Sequence, residues 1–323
     1  MSLVSIYKDI LLRNEATWGV SAAGQTRTLS IISSSIELDP SNKLVDDTRT
    51  SFKGNDQIVA VKNVIKGDIK AYATPRNIRS FLELGLGSAG VTSAVGTSAL
   101  LFTYNQNTSG SMQSATIVID RNSAQEAFYG VRAKKLALNF KDAELEMTLS
   151  VEAQTRSGAP TIPDVIGETV KPYIFADATV TIAAPSYTNP YTLLASDMTV
   201  DYDTGLVSSF LSGNRNAARS DPGTPKLSGE FTVFHEGNSW VDAAFGATEL
   251  NLRIEFSTNS GEGLISGVTP YYLKLDVPRV RLSSSKRTFD AGKLTMETVK
   301  WMAIFDTGSS SLWTPAFTAG ADL

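Results

Sequence analysis

Between Ala143 and Gln154 polar and apolar residues alternate without a break. Glu144, Glu146, Thr148, Ser150, Glu152 and Gln154 fall on one side, and Leu145, Met147, Leu149, Val151 and Ala153 on the other. A period of two is that of a half-buried strand. Glu and Ala are weak strand formers, but at helical spacing the apolar residues would spread round the helix instead of forming one stripe. The pattern predicts a strand with one apolar face and one acidic, hydroxyl-rich face that looks at water.

The same reading predicts strands over 28–38, 57–72, 99–104, 114–120, 127–140, 174–182, 196–202, 226–234, 249–257, 271–282 and 290–305. Residues 5–13 fit a turn or two of amphipathic helix. Short helices are expected over 77–84, opened by Pro75 and stopped by Gly85, and over 238–245, closed by Gly246. Two polar stretches, 39–56 and 203–225, read as long loops. The Pro- and Gly-punctuated run from Arg156 to Pro172 reads as a boundary.

This order occurs twice: strand, long polar loop, strand with a Gly-acid-apolar step, short helix, glycine, further strands. Gly67-Asp68-Ile69 answers to Gly229-Glu230-Phe231, and Ile78, Phe81 and Leu82 to Trp240, Ala243 and Ala244. The repeat predicts an internal duplication with two domains, 1–160 and 161–323. At 323 residues the chain exceeds the roughly 250–300 at which one core commonly divides.

Composition narrows the chemistry. The chain has no cysteine and one histidine, His235, so it offers neither a disulfide framework, nor a thiolate site, nor a His-rich metal site. Its net charge is −4, with 19% charged residues, which excludes a strongly basic nucleic-acid binder. The first sixteen residues meet charge too early for a signal peptide. No apolar run approaches the length of a membrane span. The expectation is a β-dominated protein made in a cytoplasm, without cofactor or metal.

Several motifs suggest chemistry and are outweighed by context. Gly85-Leu86-Gly87-Ser88-Ala89-Gly90 satisfies G-x-G-x-x-G, but it follows a helix where a dinucleotide site follows a strand. Ala303 to Trp313 resembles the active-site strand of a pepsin-like aspartic peptidase, and a second Asp-Thr-Gly stands at Asp203-Thr204-Gly205. Two such carboxylates could share a proton. Yet only fifteen residues follow Gly308, too few for a lobe to fold after the motif, so a turn is the plainer reading. His235 has Glu236 beside it but no G-x-S-x-G partner. Arg279, Arg281, Lys286 and Arg287 form a basic cluster that suits a salt-bridged contact better than a phosphate site. Trp18, Trp240, Trp301 and Trp313 are scattered, unlike the clustered aromatics of a sugar-binding module.

Taken in order, these elements resemble the tail tube proteins of long-tailed bacteriophages, in particular the larger, two-fold repeated type. The resemblance runs from about Trp18 to Phe317. It is carried by Trp18-Gly19, the strand with Gly67 and its following helix, the strand pair at 127–155 and the segment Pro172 to Val180. Ser196 to Leu206, Leu227-Ser228-Gly229, Val277-Pro278-Arg279-Val280 and the final strand from Ala303 to Asp306 complete it. It implies a mainly β fold of tandem β-sandwich tube domains with short covering helices. It further implies strands joining those of neighbours into a multi-subunit barrel ring, and rings stacked into a hollow tube for DNA. Two such domains per chain favour a trimeric, pseudo-sixfold ring, with a hexamer as the alternative.

On this reading Glu144, Glu146, Thr148, Ser150 and Glu152 face the lumen, where carboxylates would repel phosphates. The competing reading has that strand facing bulk solvent outside. Asp39, Asn42, Asp46 and Asp47 in the first long loop, and Asn214 and Arg215 in the second, would reach the next ring. The partners implied are further copies, a tape-measure protein, and tail terminator and baseplate proteins, with DNA passing unbound. The protein would be a non-enzymatic virion component assembled in the host cytoplasm. A tail terminator, baseplate ring or decoration protein is the main alternative, and an aspartic peptidase the remote one.

Overall fold

A computed structural model describes residues 10–20, 27–44, 58–88, 90–95, 99–107, 112–120, 125–141, 144–158, 171–184, 188–234, 246, 248–257, 264–265, 269–288 and 295–320. The first half holds β1 (Ile10–Asn14), β2 (Arg27–Leu29), β3 (Ser33–Ser34), β4 (Glu37–Leu44), β5 (Ile58–Tyr72), α1 (Pro75–Leu86), β6 (Val91–Val95), β7 (Ala99–Thr103), β8 (Ala115–Asp120), β9 (Gln125–Lys141), β10 (Glu146–Ala153) and β11 (Thr155–Gly158). The second holds β12 (Ala178–Ala184), β13 (Thr188–Leu193), β14 (Ala195–Asp203), β15 (Val207–Ser209), β16 (Arg219–Asp221), β17 (Lys226–Phe234), β18 (Glu249–Ser257), β19 (Leu264–Ile265), β20 (Thr269–Pro270), β21 (Tyr272–Thr288), β22 (Met296–Ala303) and β23 (Thr314–Gly320). The fold is mainly β, as expected, in sandwiched antiparallel sheets that do not close into a barrel within one chain.

One scheme of strand pairing occurs twice. In the first half β2–β1–β8–β9–β11 form one layer and β4–β5–β10–β9 the other. In the second, β13–β12–β18–β21–β23 and β14–β17–β22–β21 repeat it. The long strands β9 and β21 belong to both layers of their halves. Each changes layer across two register shifts that match in place. One lies where β9 meets β8 and β21 meets β18; the other where β9 meets β10 and β21 meets β22. Bulges of this kind bend a strand and sharpen its twist, which lets one strand turn a sandwich corner.

Gly67 and Gly229 occupy matching places and have the same reason to lack a side chain. A Cβ on Gly67 would stand 2.5 Å from the carbonyl oxygen of Ser35, and one on Gly229 would stand 2.1 Å from that of Thr199. Val151 lies opposite Gly67, and Trp301 lies opposite Gly229.

The halves are joined directly. β9 pairs with β14, from Lys141↔Asp197 to Lys135↔Asp203. The layers β4–β5–β10–β9 and β14–β17–β22–β21 thereby become one sheet of eight strands, β4–β5–β10–β9–β14–β17–β22–β21. The hairpin β6–β7 makes the second joint by adding to β23. One hydrophobic core runs through both halves, from Ile10 and Phe81 to Trp301 and Phe317.

α1 begins as the sequence suggests. Thr74 caps it by accepting from the Asn77 amide at 3.3 Å, and Pro75 opens the first turn. It ends two residues later than expected. Gly87, at φ 66°, takes the left-handed cap position, while Gly85 stays helical and its missing side chain leaves room for Leu136. Three other expectations are corrected. Ile10–Asn14 is a strand, not an amphipathic helix, with Ile10, Leu11 and Leu12 all buried between β2 and β8. The first polar stretch is not loop at its start, because 37–44 forms β4 on the edge of β5. The second contains the hairpin β15–β16. The helix expected over 238–245 lies outside the described residues.

Candidate functional site: the wet face of the eight-stranded sheet

Alternation along β10 places its residues as the sequence implies. Met147, Leu149 and Val151 are buried, while Glu146, Thr148, Ser150 and Glu152 look the other way. Glu144 precedes the strand and bridges to Ile174. β10 is an interior strand, flanked by β5 and β9. In an antiparallel pair, directly opposite residues share a face. The wet face therefore carries Lys66, Asp68, Lys70 and Tyr72 of β5, Ala137 and Asn139 of β9, Thr199, Asp201 and Asp203 of β14, Ser228 and Glu230 of β17, and Lys300 of β22. Its middle is a concave depression lined by Ala137, Thr148, Thr199, Asp201, Glu230 and Lys300 among others.

The face is not the purely acidic surface expected from β10 alone. Lys70 meets Glu146 at 2.7 Å, Lys134 meets Glu152 at 2.9 Å and Lys135 meets Asp201 at 2.9 Å. Lys66 meets Asp39 at 3.4 Å, and Lys300 meets Glu230 at 3.8 Å. The bulge in β9 turns both Lys134 and Lys135 to this side. Carboxylates and ammonium groups thus alternate across the strands, interleaved with hydroxyls such as the Thr232–Thr298 pair at 3.1 Å. One strand's pattern shows the acids, whereas the bases that answer them come from its neighbours. The signal was present in Lys66, Asp68 and Lys70, spaced two apart, but its use requires knowing which strands adjoin.

The candidate loop residues separate. Asp39 and Asn42 sit on β4, Asp39 exposed on its edge, and Asp46 and Asp47 lie outside the described residues. Asn214 and Arg215 are at the exposed tip of the stretch between β15 and β16. That stretch is folded back on its own chain. The Asn63 amide donates to the Arg215 carbonyl at 2.8 Å, and Ser208 donates to Glu152 at 2.7 Å.

Both Asp-Thr-Gly motifs form turns, and His235 and Glu236 lie outside the described residues. Asp203 accepts from the Gly205 amide at 2.8 Å, and Gly205 turns at φ 66°. Asp306 accepts from the Ser309 amide at 2.7 Å; that bond, with help from Gly308, holds its carboxyl below the ordinary value. Each carboxylate caps its own turn. Arg279 and Arg281 both bind Glu249, at 2.9 and 2.8 Å, and so keep its carboxyl low; Arg287 pairs with buried Glu297 at 3.6 Å. The glycine-rich run 85–90 spans the end of α1 and the chain beyond it. Trp301 and Trp313 are buried in the core. Among the described residues no group of three His, Cys, Asp or Glu could hold a metal ion, and no helix is long and apolar enough to cross a membrane.

No curated protein matches the chain. A protein-family model described as phage tail tube protein matches residues 9–303.

Proposed function

The chain belongs to the phage tail tube protein family, and on that footing we propose that copies of it close into rings, that the rings stack, and that the wet face of the eight-stranded sheet lines the bore through which the genome passes. Membership makes it a structural protein of the virion tail and one subunit of a multi-subunit tube.

The observation that carries the reading is the β9–β14 joint. Two sheets of matching order already stand side by side in one chain and share a ladder of hydrogen bonds. Closing such sheets round an axis removes their exposed edges. We take 1–160 and 161–323 as two duplicated tube domains, so three chains supply six sheets and a trimeric, pseudo-sixfold ring. Glu144, Glu146, Thr148, Ser150 and Glu152 then face the lumen. DNA is passed over without being held because Lys66, Lys70, Lys134, Lys135 and Lys300 are already paired with carboxylates. A phosphate approaching those five meets ammonium groups that are largely neutralised, so few counterions are released. The tip at Asn214 and Arg215 points toward the next ring. A tape-measure protein inside, terminator and baseplate proteins at the ends, and assembly in the host cytoplasm complete the proposal.

The test is electron microscopy of the purified full chain, with the mass of single rings measured in parallel. Hollow tubes built of three-chain rings are expected. Rings of six chains would eliminate the trimer. Rings that never stack would point instead to a terminator or baseplate ring, and chains that never associate would sink the function.

A further inference from the structure

We propose that the seam between chains is made by two open strand edges, the outer edge of β21 over Ser284–Thr288 and, in a second copy, the outer edge of Ser35–Asp39, the start of β4 and the two residues before it, in the register already used by β9 and β14. The proposal rests on the ring reading above and names its contact.

The register follows from the internal joint. Past its second bulge, β21 matches β9 so that Ser284 takes the place of Lys135 and Lys286 that of Ala137. Gly67 and Gly229 align β4 with β14, so Asp39 takes the place of Asp203 and Glu37 that of Asp201. The built joint sets Lys135 opposite Asp203 and Ala137 opposite Asp201. Transferred between copies, Ser284 meets Asp39, Lys286 meets Glu37 and Thr288 meets Ser35, antiparallel.

Three observations favour this occupant. Among the described residues, neither outer edge has a strand partner. Unpaired edges of such length invite pairing with another chain. The charges are complementary, with an acid at both 37 and 39 on one edge and a lysine on the other, as the built joint sets Asp201 and Asp203 against Lys135. Finally, Glu37 and Lys286 are exposed, and neither makes an ion pair with the described residues of its own chain, whereas Lys135 already meets Asp201 at 2.9 Å. Both seams thus put one lysine against a pair of acids two residues apart. Asp39 belongs, on this assignment, to the side-by-side contact and not to the contact between stacked rings.

Glu37→Cys and Lys286→Cys in one full-length chain provide the test, because the natural chain has no cysteine. Mild oxidation of assembled protein should give a reducible covalent ladder that ends in a closed species. The offset pair Ser33→Cys with Lys286→Cys should cross-link at least about tenfold less, since four residues along a strand exceed disulfide reach. In a parallel arm, Lys286→Glu should raise the concentration needed for assembly about tenfold, and adding Glu37→Lys should restore it to within about threefold. Rings that form but cross-link equally in both registers, or in neither, overturn the seam and leave the tube standing. A folded wild-type chain that stays monomeric in light scattering sinks the ring and the seam with it.

Discussion

The two halves share every pairing of their eight-strand pattern, but only one joint is clasped twice. Between first and second half, β9 pairs with β14 and the hairpin β6–β7 reaches across to pair with β23. Phe317 of β23 lies stacked on Phe102 at 5.0 Å and on Tyr104 at 6.0 Å. The second half is much shorter at the corresponding place, with 14 residues between β17 and β18 against 42 between β5 and β8. β11, which corresponds to β23, accordingly has no strand along its outer edge among the described residues. A repeated unit sets the geometry of a joint, and an insertion decides which joint is permanent. The proposed seam between chains, having β21 and β4 alone, is the reversible one.

Removing the clasp should have the largest effect. Phe317→Ala takes a fully buried ring from between two halves, and loss of about 3–5 kcal/mol is expected. The measurement is denaturant unfolding, with hydrogen exchange reporting whether β6–β7 becomes unprotected before the rest. A loss below about 1 kcal/mol, outside the usual range for a buried aromatic, would mean that the clasp adds little to the β9–β14 joint.

The matched glycines sharpen the comparison. A methyl at Gly229 collides with the Thr199 carbonyl of β14, which is held on both sides by β17 and β9. Gly229→Ala should cost about 3 kcal/mol, the upper end for overpacking. The same methyl at Gly67 strikes Ser35 and Ile36, beside an edge strand that is paired on one side only. Gly67→Ala should cost about 1 kcal/mol yet impair assembly, because the displaced edge is the proposed seam. Equal stability losses in both variants, by chemical denaturation, would argue that β4 is as firmly held as β14.

A buried carboxylate in the first half gives the next effect. Burial pushes Glu83 up, but Arg27, Asn14 and Arg79 outweigh burial and hold its carboxyl below the ordinary value. Asn14 donates at 3.1 Å and Arg79 pairs at 3.2 Å, with Arg27 completing the group. Since the folded-state pKa lies below the unfolded one, this stabilisation is complete above the unfolded value and is lost as pH falls through the folded one. Glu83→Gln should lower stability by about 3 kcal/mol at neutral pH, the low end for a broken buried pair. The deficit should shrink as pH is lowered into the acid range. A deficit independent of pH would remove the charge from the explanation.

Much of this fold was legible because one-sided burial writes itself into sequence. The alternation from Glu144 to Gln154 and the glycines at 67 and 229 each reported a physical constraint, a half-buried strand in one case and a backbone pressed against a carbonyl in the other. The failures have physical reasons too. Ile10–Leu12 is buried on both faces, and a short apolar run has no period to read. β4, with the sequence ELDPSNKL, looks like loop because charge and proline are what an exposed edge carries. The wet face was half legible, since its acids lie along one strand while its lysines arrive from strands made adjacent only by pairing.

Those lysines supply the smallest effect on the fold and the sharpest test of the lining. Glu146→Gln with Glu152→Gln leaves Lys70 and Lys134 without their carboxylates, while Glu230 and Lys300 in the second half keep each other. The pairs are partly exposed, so stability should change by no more than about 1 kcal/mol, and assembly should persist. What should change is contact with DNA. Unpaired ammonium groups can displace counterions from phosphates, and that attraction weakens steeply as salt rises. Tubes of the variant should therefore retain duplex DNA at low salt and release it at higher salt, with wild-type tubes retaining little at either. Filter binding at two salt concentrations, beside a thermal melt, measures both. Equal retention by wild type and variant would mean that the wet face does not meet the DNA, and the first-half strand β10 would belong on the outside of the tube.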